Sequence, residues 1–389
     1  MTKTALVVGL GFAGSVVARE LAEAGFSVLA FEKRSSIAGN MYEYERSNGV
    51  RVHMYGPHIF HTNSQKVFEY LSAFSAFYPY THRVLGRIMG QLVPIPFNFT
   101  SIDTLFTNEH AVLLKGKLSV SFDGRDRVTV SELIGHTDPD IAVLGEFIFE
   151  NVFVHYTAKQ WGVPVSEVDT SVINRVPVVL GTDDRYFSDD IQMMPLEGYT
   201  QLFENLLNHP NIHYSLQDDA ANHLKADIES RTLLVDGEPF TGPVIYSGLA
   251  DELFDYSHGP LPYRSLDMLF EDCPVDYYQN AAVINFPNEE EYTRITEFKH
   301  MTLQVLPGNT TIMREYPLPY HPGSTTPPYY PIVGPRNQEQ YNAYLELSHL
   351  FPNLYLCGRL AEYRYYNMDG AVERALNVAA QILKDFPAK

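Results

Sequence analysis

The order of apolar and polar positions is most informative at the start of the chain. Ala5, Leu6, Val7 and Val8 form an unbroken apolar run, the pattern of a strand buried on both faces. Beyond a glycine-rich interval, Val16, Val17, Leu21 and Ala24 recur at helical spacing, and Gly25 closes that helix. Ser27 to Phe31 then reads as a second strand with Glu32 at its end. Val67, Tyr70, Leu71 and Phe74 share a helical face, which predicts a helix from Val67 to Ala76, entered from Thr62 and Asn63 and stopped by Pro79. Arg83 to Leu92 alternates around Gly86 and Gly90 and predicts a hairpin, with Val93 to Asn98 as its extended exit. From Ser101 to Asn151 the period is helical, with connectors at 116–124 and 135–139.

Further on, a helix Tyr199 to Leu207 follows Gly198 and leads to a strand, Ile212 to Leu216. Leu233 to Val235 and Val244 to Tyr246 read as strands returning to the first sheet. Between Leu261 and Val333, short strands alternate with Pro-rich turns: Ser265 to Phe270, Ala281 to Phe286, Arg294 to Phe298 and Thr311 to Tyr316. That alternation predicts a largely antiparallel sheet. A helix Gln338 to Leu350, a short strand Leu354 to Cys357, a turn from Gly358 and a last helix Ala371 to Lys384 complete the chain.

The first turn carries chemistry. GLGFAG, Gly9 to Gly14, lies between strand and helix, and Glu32 stands eighteen residues after Gly14. Gly9 permits the tight turn, Gly11 lets the backbone approach a pyrophosphate, and Gly14 lets helix and strand pack closely. The free N–H groups of the helix start face the anion, and Glu32 is placed to accept from a ribose hydroxyl. A bare pattern of this kind also occurs in glycine-rich turns with no ligand, but here strand, helix, second strand and acid all fall in place. Lys33, Arg34, Gly39 and Asn40 follow in a short basic, small-residue stretch suited to lie along a diphosphate, favouring a flavin-type variant over a plain NAD site.

Composition narrows the class. A chain of 389 residues predicts two or three domains. Lys plus Arg is 28 against 47 Asp plus Glu, a net −19, which opposes nonspecific binding to nucleic acid or anionic membrane. An anionic substrate would then need locally clustered arginines. The two cysteines, Cys273 and Cys357, read as reduced thiols, and no run of about 18 apolar residues predicts a membrane span, so a soluble cytoplasmic protein is expected. The 26 Tyr, 23 Phe and 25 Pro concentrate in the second half and suggest an aromatic-lined cleft. His58 and His61 lack a third partner for a metal, leaving core histidines or cofactor contacts. Trp161 reads equally as a core residue or a site wall, and Gly181 to Asp184 as a mobile loop.

GLGFAG, EKRSSIAGN (from Glu32), YGPHIFHT (from Tyr55), VPIPFN (from Val93), KQWG (from Lys159) and GRLAEYRYYNMDGAV (from Gly358), in that order, make the chain resemble the bacterial UDP-galactopyranose mutases from residue 1 to about 385. The resemblance implies an α/β fold: a discontinuous Rossmann-like FAD-binding domain (1–65, 198–255 and 345–389), a mainly helical subdomain (66–160), and an antiparallel-sheet substrate domain (161–197 and 256–344) with a mobile loop near 175–190. It implies ring contraction of UDP-galactopyranose to UDP-galactofuranose for cell-wall or surface polysaccharide. In that reaction N5 of reduced FAD attacks sugar C1 and a flavin-sugar iminium follows, with NAD(P)H or another reductant and a homodimer expected. Cofactor contacts are implied at Phe12, Ala13, His58, Ile59, His61, Leu216, Gly358, Arg359, Asn367 and Met368, beside the residues of the first turn and Glu32 to Asn40. Arg175, in NRVPV, and Arg294, in YTRITEFKH, are implied to hold the diphosphate, with Tyr186, Tyr316, Tyr330 and Tyr365 as donors. Phe153 and Tyr156 are implied as uracil-stacking residues beside Thr157, Trp161 and Asn285, although Val152 stands where some relatives have phenylalanine. His61 is implied near N5, and His82, an asparagine in some relatives, near sugar and flavin. The first forty residues would also serve a flavin amine oxidase or an NAD(P)H-dependent oxidoreductase, and a 2-acetamido sugar nucleotide is an alternative substrate.

Overall fold

The computed structural model describes residues 3–162 and 176–387. The opening apolar run is β1 (Thr4–Val8), followed by α1 (Phe12–Glu23) and β2 (Ser27–Glu32). Five strands form a parallel sheet in the order Ile212–Leu216, β2, β1, Val244–Tyr246, Leu354–Leu356. The chain leaves β1 toward β2 on one side and later returns on the other, so the strand order reverses beside β1. In an open parallel sheet the crevice at such a reversal is where ligands bind. α1 and the last helix, Met368–Asp385, pack against each other over one face of the sheet.

The second large sheet has seven strands: Pro328–Pro331, Tyr263–Cys273, Thr310–Pro319, Arg294–Glu297, Val283–Asn285, Val84–Ile88 and Gln91–Ile95. Every pairing is antiparallel except that of Val283–Asn285 with Val84–Ile88. Segment 66–160, expected to be mainly helical, therefore gives this sheet its edge hairpin as well as four helices between Phe99 and Ile148. A smaller sheet sets Ile191–Pro195 between Phe60–Thr62 and Phe77–Pro79.

Several expected boundaries move. The helix expected to run to Ala76 spans Gln65–Ser72, capped by Ser64, because Phe77–Pro79 is taken into a strand pairing with Met193–Pro195. Val93 to Ile95 is strand rather than exit, since Pro94 lies on a sheet edge, where a missing N–H costs nothing. Gly116 interrupts no helix: Asn108–Ser121 runs through it, anchored by the buried Ala111, Leu114 and Leu118. Leu233 to Val235 does not return to the parallel sheet. Asp236 and Gly237, at φ 50° and 83°, turn the chain back at once, so Thr232–Val235 joins a three-stranded antiparallel unit. The last helix begins at Met368, three residues before the expected Ala371, and Gly358 lies in the turn ahead of it, as expected.

Candidate active site

The crevice beside β1 opens into a cavity of about 500 Å3. Gly9, Gly11, Phe12, Ala13, Glu32, Lys33, Arg34, Gly39 and Asn40 line it on one side, and Gly358, Arg359, Asn367 and Met368 on the other. Backbone approaches define its floor. Gly9, at φ 86°, faces the hydroxyl of Ser247, which donates to the Val8 carbonyl at 2.6 Å, and a Cβ on Gly9 would overlap that hydroxyl. Gly14 does not line the cavity; a Cβ there would overlap the Gly9 carbonyl oxygen, so this glycine allows α1 to sit against β1. Glu32 is buried and accepts from the Leu10 amide at 2.8 Å and the Arg34 amide at 3.0 Å, holding its carboxylate at the cavity wall.

A second chamber, of about 440 Å3, adjoins the first; Arg359, Asn367 and Met368 border both. Arg359 lies against the rings of Tyr330 and Tyr365, at 5.1 and 4.9 Å, and donates to the carbonyls of Tyr329 and Tyr366. The inward stripe of Val84–Ile88 lines one wall, running from His82 through Val84 and Gly86 to Ile88. Opposite it, a π-helical turn, Phe149–Val154, leads into the helix His155–Trp161. Val152, Phe153, Tyr156, Thr157 and Gln160 of this segment line the chamber, and π turns of this sort recur where a helix serves a site.

Three described arginines border the chamber: Arg359 at the seam, and Arg294 and Arg264. Arg294 donates to the Tyr156 hydroxyl at 2.8 Å, with its Nε 3.3 Å from the Glu315 carboxylate. Burial opposes that charge, but Glu315 and the surrounding tyrosines hold its pKa above the ordinary arginine range. Arg264 is buried, donates to the Gln160 carbonyl at 3.0 Å, and pairs with no carboxylate among the described residues; burial lowers its pKa. Burial raises the pKa of Tyr156 and Tyr186, and that of Tyr330 to about 12, so these hydroxyls keep their protons. His58 and His82 are neutral, burial pushing each down to about 3. The Asn285 side-chain oxygen is buried without a hydrogen-bond partner among the described residues.

Of the residues singled out from the sequence, His58, Ile59, His61, His82, Phe153, Tyr156, Thr157, Tyr186, Asn285, Arg294, Tyr330 and Tyr365 meet in this chamber. His58, Ile59 and His61 border it rather than the first cavity, because Phe60–Thr62 is held away from β1 by its pairing with Ile191–Met193. Leu216 lines neither space: it ends an outer strand of the parallel sheet and is exposed. Tyr316 also lines neither and packs edge-on against Tyr292, at 5.9 Å. Arg175 lies outside the described residues, as does the side chain of Trp161. The segment Gly181–Asp184 is tied down by hydrogen bonds from the Phe99 amide to the Gly181 carbonyl and from Asn98 to the Asp183 carbonyl. Sequence reasoning missed Arg264, Phe187, Gln160 and the apolar wall of Val84, Ile88, Ile95 and Val283. Signals were there for three of them: Gln160 stands in the KQWG motif, Phe187 follows Tyr186, and Arg264 directly precedes the expected strand Ser265 to Phe270.

A family model described as UDP-galactopyranose mutase matches residues 151–365, and one for an NAD(P)-binding Rossmann-like domain matches residues 7–74. A UDP-galactopyranose mutase of Mycoplasma pneumoniae is 35% identical, over 97% of this chain and 96% of that protein. A dTDP-fucopyranose mutase of Escherichia coli is 33% identical, over 98% of each. The crystal structure of a reduced UDP-galactopyranose mutase superposes with a TM-score of 0.71 at 15% identity, covering 100% of this chain and 97% of that one, which is a likeness of fold.

Proposed function

The chain belongs to the UDP-galactopyranose mutase family, a family of isomerases, and we propose that it interconverts UDP-galactopyranose and UDP-galactofuranose with reduced FAD as cofactor. The first cavity suits FAD by its chemistry: a glycine floor that a Cβ would fill, helix-start amides for a diphosphate, and the Glu32 carboxylate for ribose hydroxyls. Bound there, reduced flavin supplies a nucleophile for the anomeric carbon. The observation that carries the reading is the seam, where Arg359, Asn367 and Met368 border a dinucleotide cavity on one side and a cation-bearing chamber on the other.

The residues of the chamber divide by task. The Arg294 fork and the unpaired Arg264 hold the leaving diphosphate, with the neutral hydroxyls of Tyr156, Tyr186, Tyr330 and Tyr365 as donors and Arg175 as a further cation. The unpartnered Asn285 oxygen accepts from the imide N–H of a pyrimidine that lies against Phe153 and Tyr156. A second reading, a dTDP-linked 6-deoxy sugar, is favoured by the 33% identical dTDP-fucopyranose mutase and by an apolar wall, Val84, Ile88, Ile95 and Val152, suited to a 5-methyl base.

The test is turnover by flavin-loaded protein, reduced with dithionite or NAD(P)H, on UDP-galactopyranose, its 2-acetamido analogue and dTDP-fucopyranose, followed by NMR of the anomeric proton. Furanose product is expected only from reduced protein, with no stoichiometric use of reductant. Equal turnover by oxidised protein, or one reductant consumed per product, would overturn the proposal.

A further inference from the structure

We propose that Asp189, which lines neither cavity, is a positioning residue that makes His61 a proton shuttle for the sugar; this rests on the function proposed above. The Asp190 amide donates to the Asn63 side-chain oxygen at 3.0 Å, so the Asn63 NH2 group is the end that faces Asp189, and it donates to Asp189 Oδ1 at 3.2 Å. The other oxygen, Oδ2, lies 2.8 Å from His61 Nδ1. An ionised carboxylate only accepts, so Nδ1 must carry the proton. Phe187 stacks on the imidazole at 3.7 Å between ring centres and 13° between planes, which stops the ring from turning over. Nε2, on the opposite edge, is left without a partner among the described residues, in a side chain that borders the chamber. His61 therefore presents Nε2, the nitrogen free to exchange a proton, where the sugar is held.

Ring contraction gives that nitrogen a task. The ring oxygen that leaves the anomeric carbon must gain a proton, and the hydroxyl that replaces it must lose one. The two transfers sum to zero. A single group that gives a proton to the departing oxygen and then takes one from the incoming hydroxyl closes the cycle without net consumption. His61 Nε2 is such a group only while Nδ1 keeps its own proton on Asp189, so that the proton given and taken is the one on Nε2. While it holds the extra proton, Asp189 stabilises the imidazolium, as a buried carboxylate behind a histidine does in other proton-transfer sites.

Asp189→Asn provides an isosteric test. Turning its oxygen to Asn63 and its NH2 to His61 Nδ1 is the orientation of the new amide that keeps a hydrogen bond to both neighbours. That reverses the tautomer with little change of shape. In 15N NMR of the full chain at alkaline pH, wild-type His61 should show protonated Nδ1 and bare Nε2, and Asp189→Asn the reverse. With flavin loaded, the variant should lose at least about a hundredfold in kcat while KM changes less than about threefold, because general acid–base catalysis and not binding is removed. The proposal is overturned by an Nε2–H tautomer in wild type, by an Asp189→Asn variant that loses kcat while keeping the wild-type tautomer, or by a reversed tautomer with kcat retained. A wild type that shows the Nδ1–H tautomer but no mutase turnover would refute the proposed function instead.

Discussion

Arg264 and Arg294 border the same chamber, yet their removal should have opposite consequences for the folded protein. Arg294 neutralises Glu315, which is 3% exposed and otherwise satisfied by the Thr293 hydroxyl. Taking away one partner of a buried pair strands the other, at a cost of about 3–5 kcal/mol. Among the described residues Arg264 has no acid to strand; its charge is held there by one carbonyl. Arg264→Met should therefore leave thermal stability equal or higher while weakening UDP binding at least about tenfold, a charge-assisted contact being worth roughly 1.5–3 kcal/mol. Arg294→Met should lose both stability and binding. Melting curves and UDP titrations of the two variants decide this, and an equal drop in Tm would make Arg264 a structural residue.

At the scale of the strand–turn–helix element, the glycines of GLGFAG separate into those the protein needs and one the ligand needs. A Cβ on Gly14 overlaps the Gly9 carbonyl whether or not a ligand is bound. A Cβ on Gly11 meets only the Gly39 backbone, at 3.8 Å, and Gly11 has an extended conformation open to alanine. Gly14→Ala should thus lower the Tm of the apoprotein. Gly11→Ala should leave that Tm unchanged and weaken FAD binding by about tenfold or more, since its Cβ enters the space of the pyrophosphate. A flavin titration of Gly11→Ala indistinguishable from wild type would mean that the diphosphate does not cross this turn. Most of this element was legible in advance, because strand, turn, helix and Glu32 are contiguous and their packing is local.

For the whole molecule, buried titrating groups make opposing contributions to stability against pH. His58 and His82 are pushed down to about 3 by burial, while an unfolded histidine titrates near 6.5. Between those values the unfolded chain binds more protons, so their contribution is complete above about pH 6.5 and is lost as pH falls toward 3. Asp251 is raised by burial to about 6, so its folded form keeps a proton that the unfolded chain releases near pH 4, and its contribution falls as pH rises through that window. Two larger shifts outweigh one smaller one. The net charge of −19 adds a term common to every variant and cancels in a difference. Wild-type apoprotein should accordingly gain more stability than His82→Asn between about pH 4 and pH 6.5, by an amount on the order of a few kcal/mol. Parallel Tm profiles for the two proteins would contradict this.

The sequence by itself determined β1, α1, β2 and the placement of Glu32, since each depends on neighbours within about thirty residues and on backbone rules that glycine spacing reveals. It also marked Arg294, Tyr156 and Asn285 through a resemblance spread along nearly the whole chain. The tertiary structure alone decided which side chains share a space. Arg264 meets Gln160, and Asp189 meets His61, across more than a hundred residues; His82, Val84 and Gly86 became a wall once Val283–Asn285 paired beside them. Alternation along a strand says that one face is buried, but not against what. The same limit explains the helix ending at Ser72 and the strand Thr232–Val235 that never reached the parallel sheet. Both were settled by hydrogen-bonding partners whose identity depends on the assembled fold and not on local propensity.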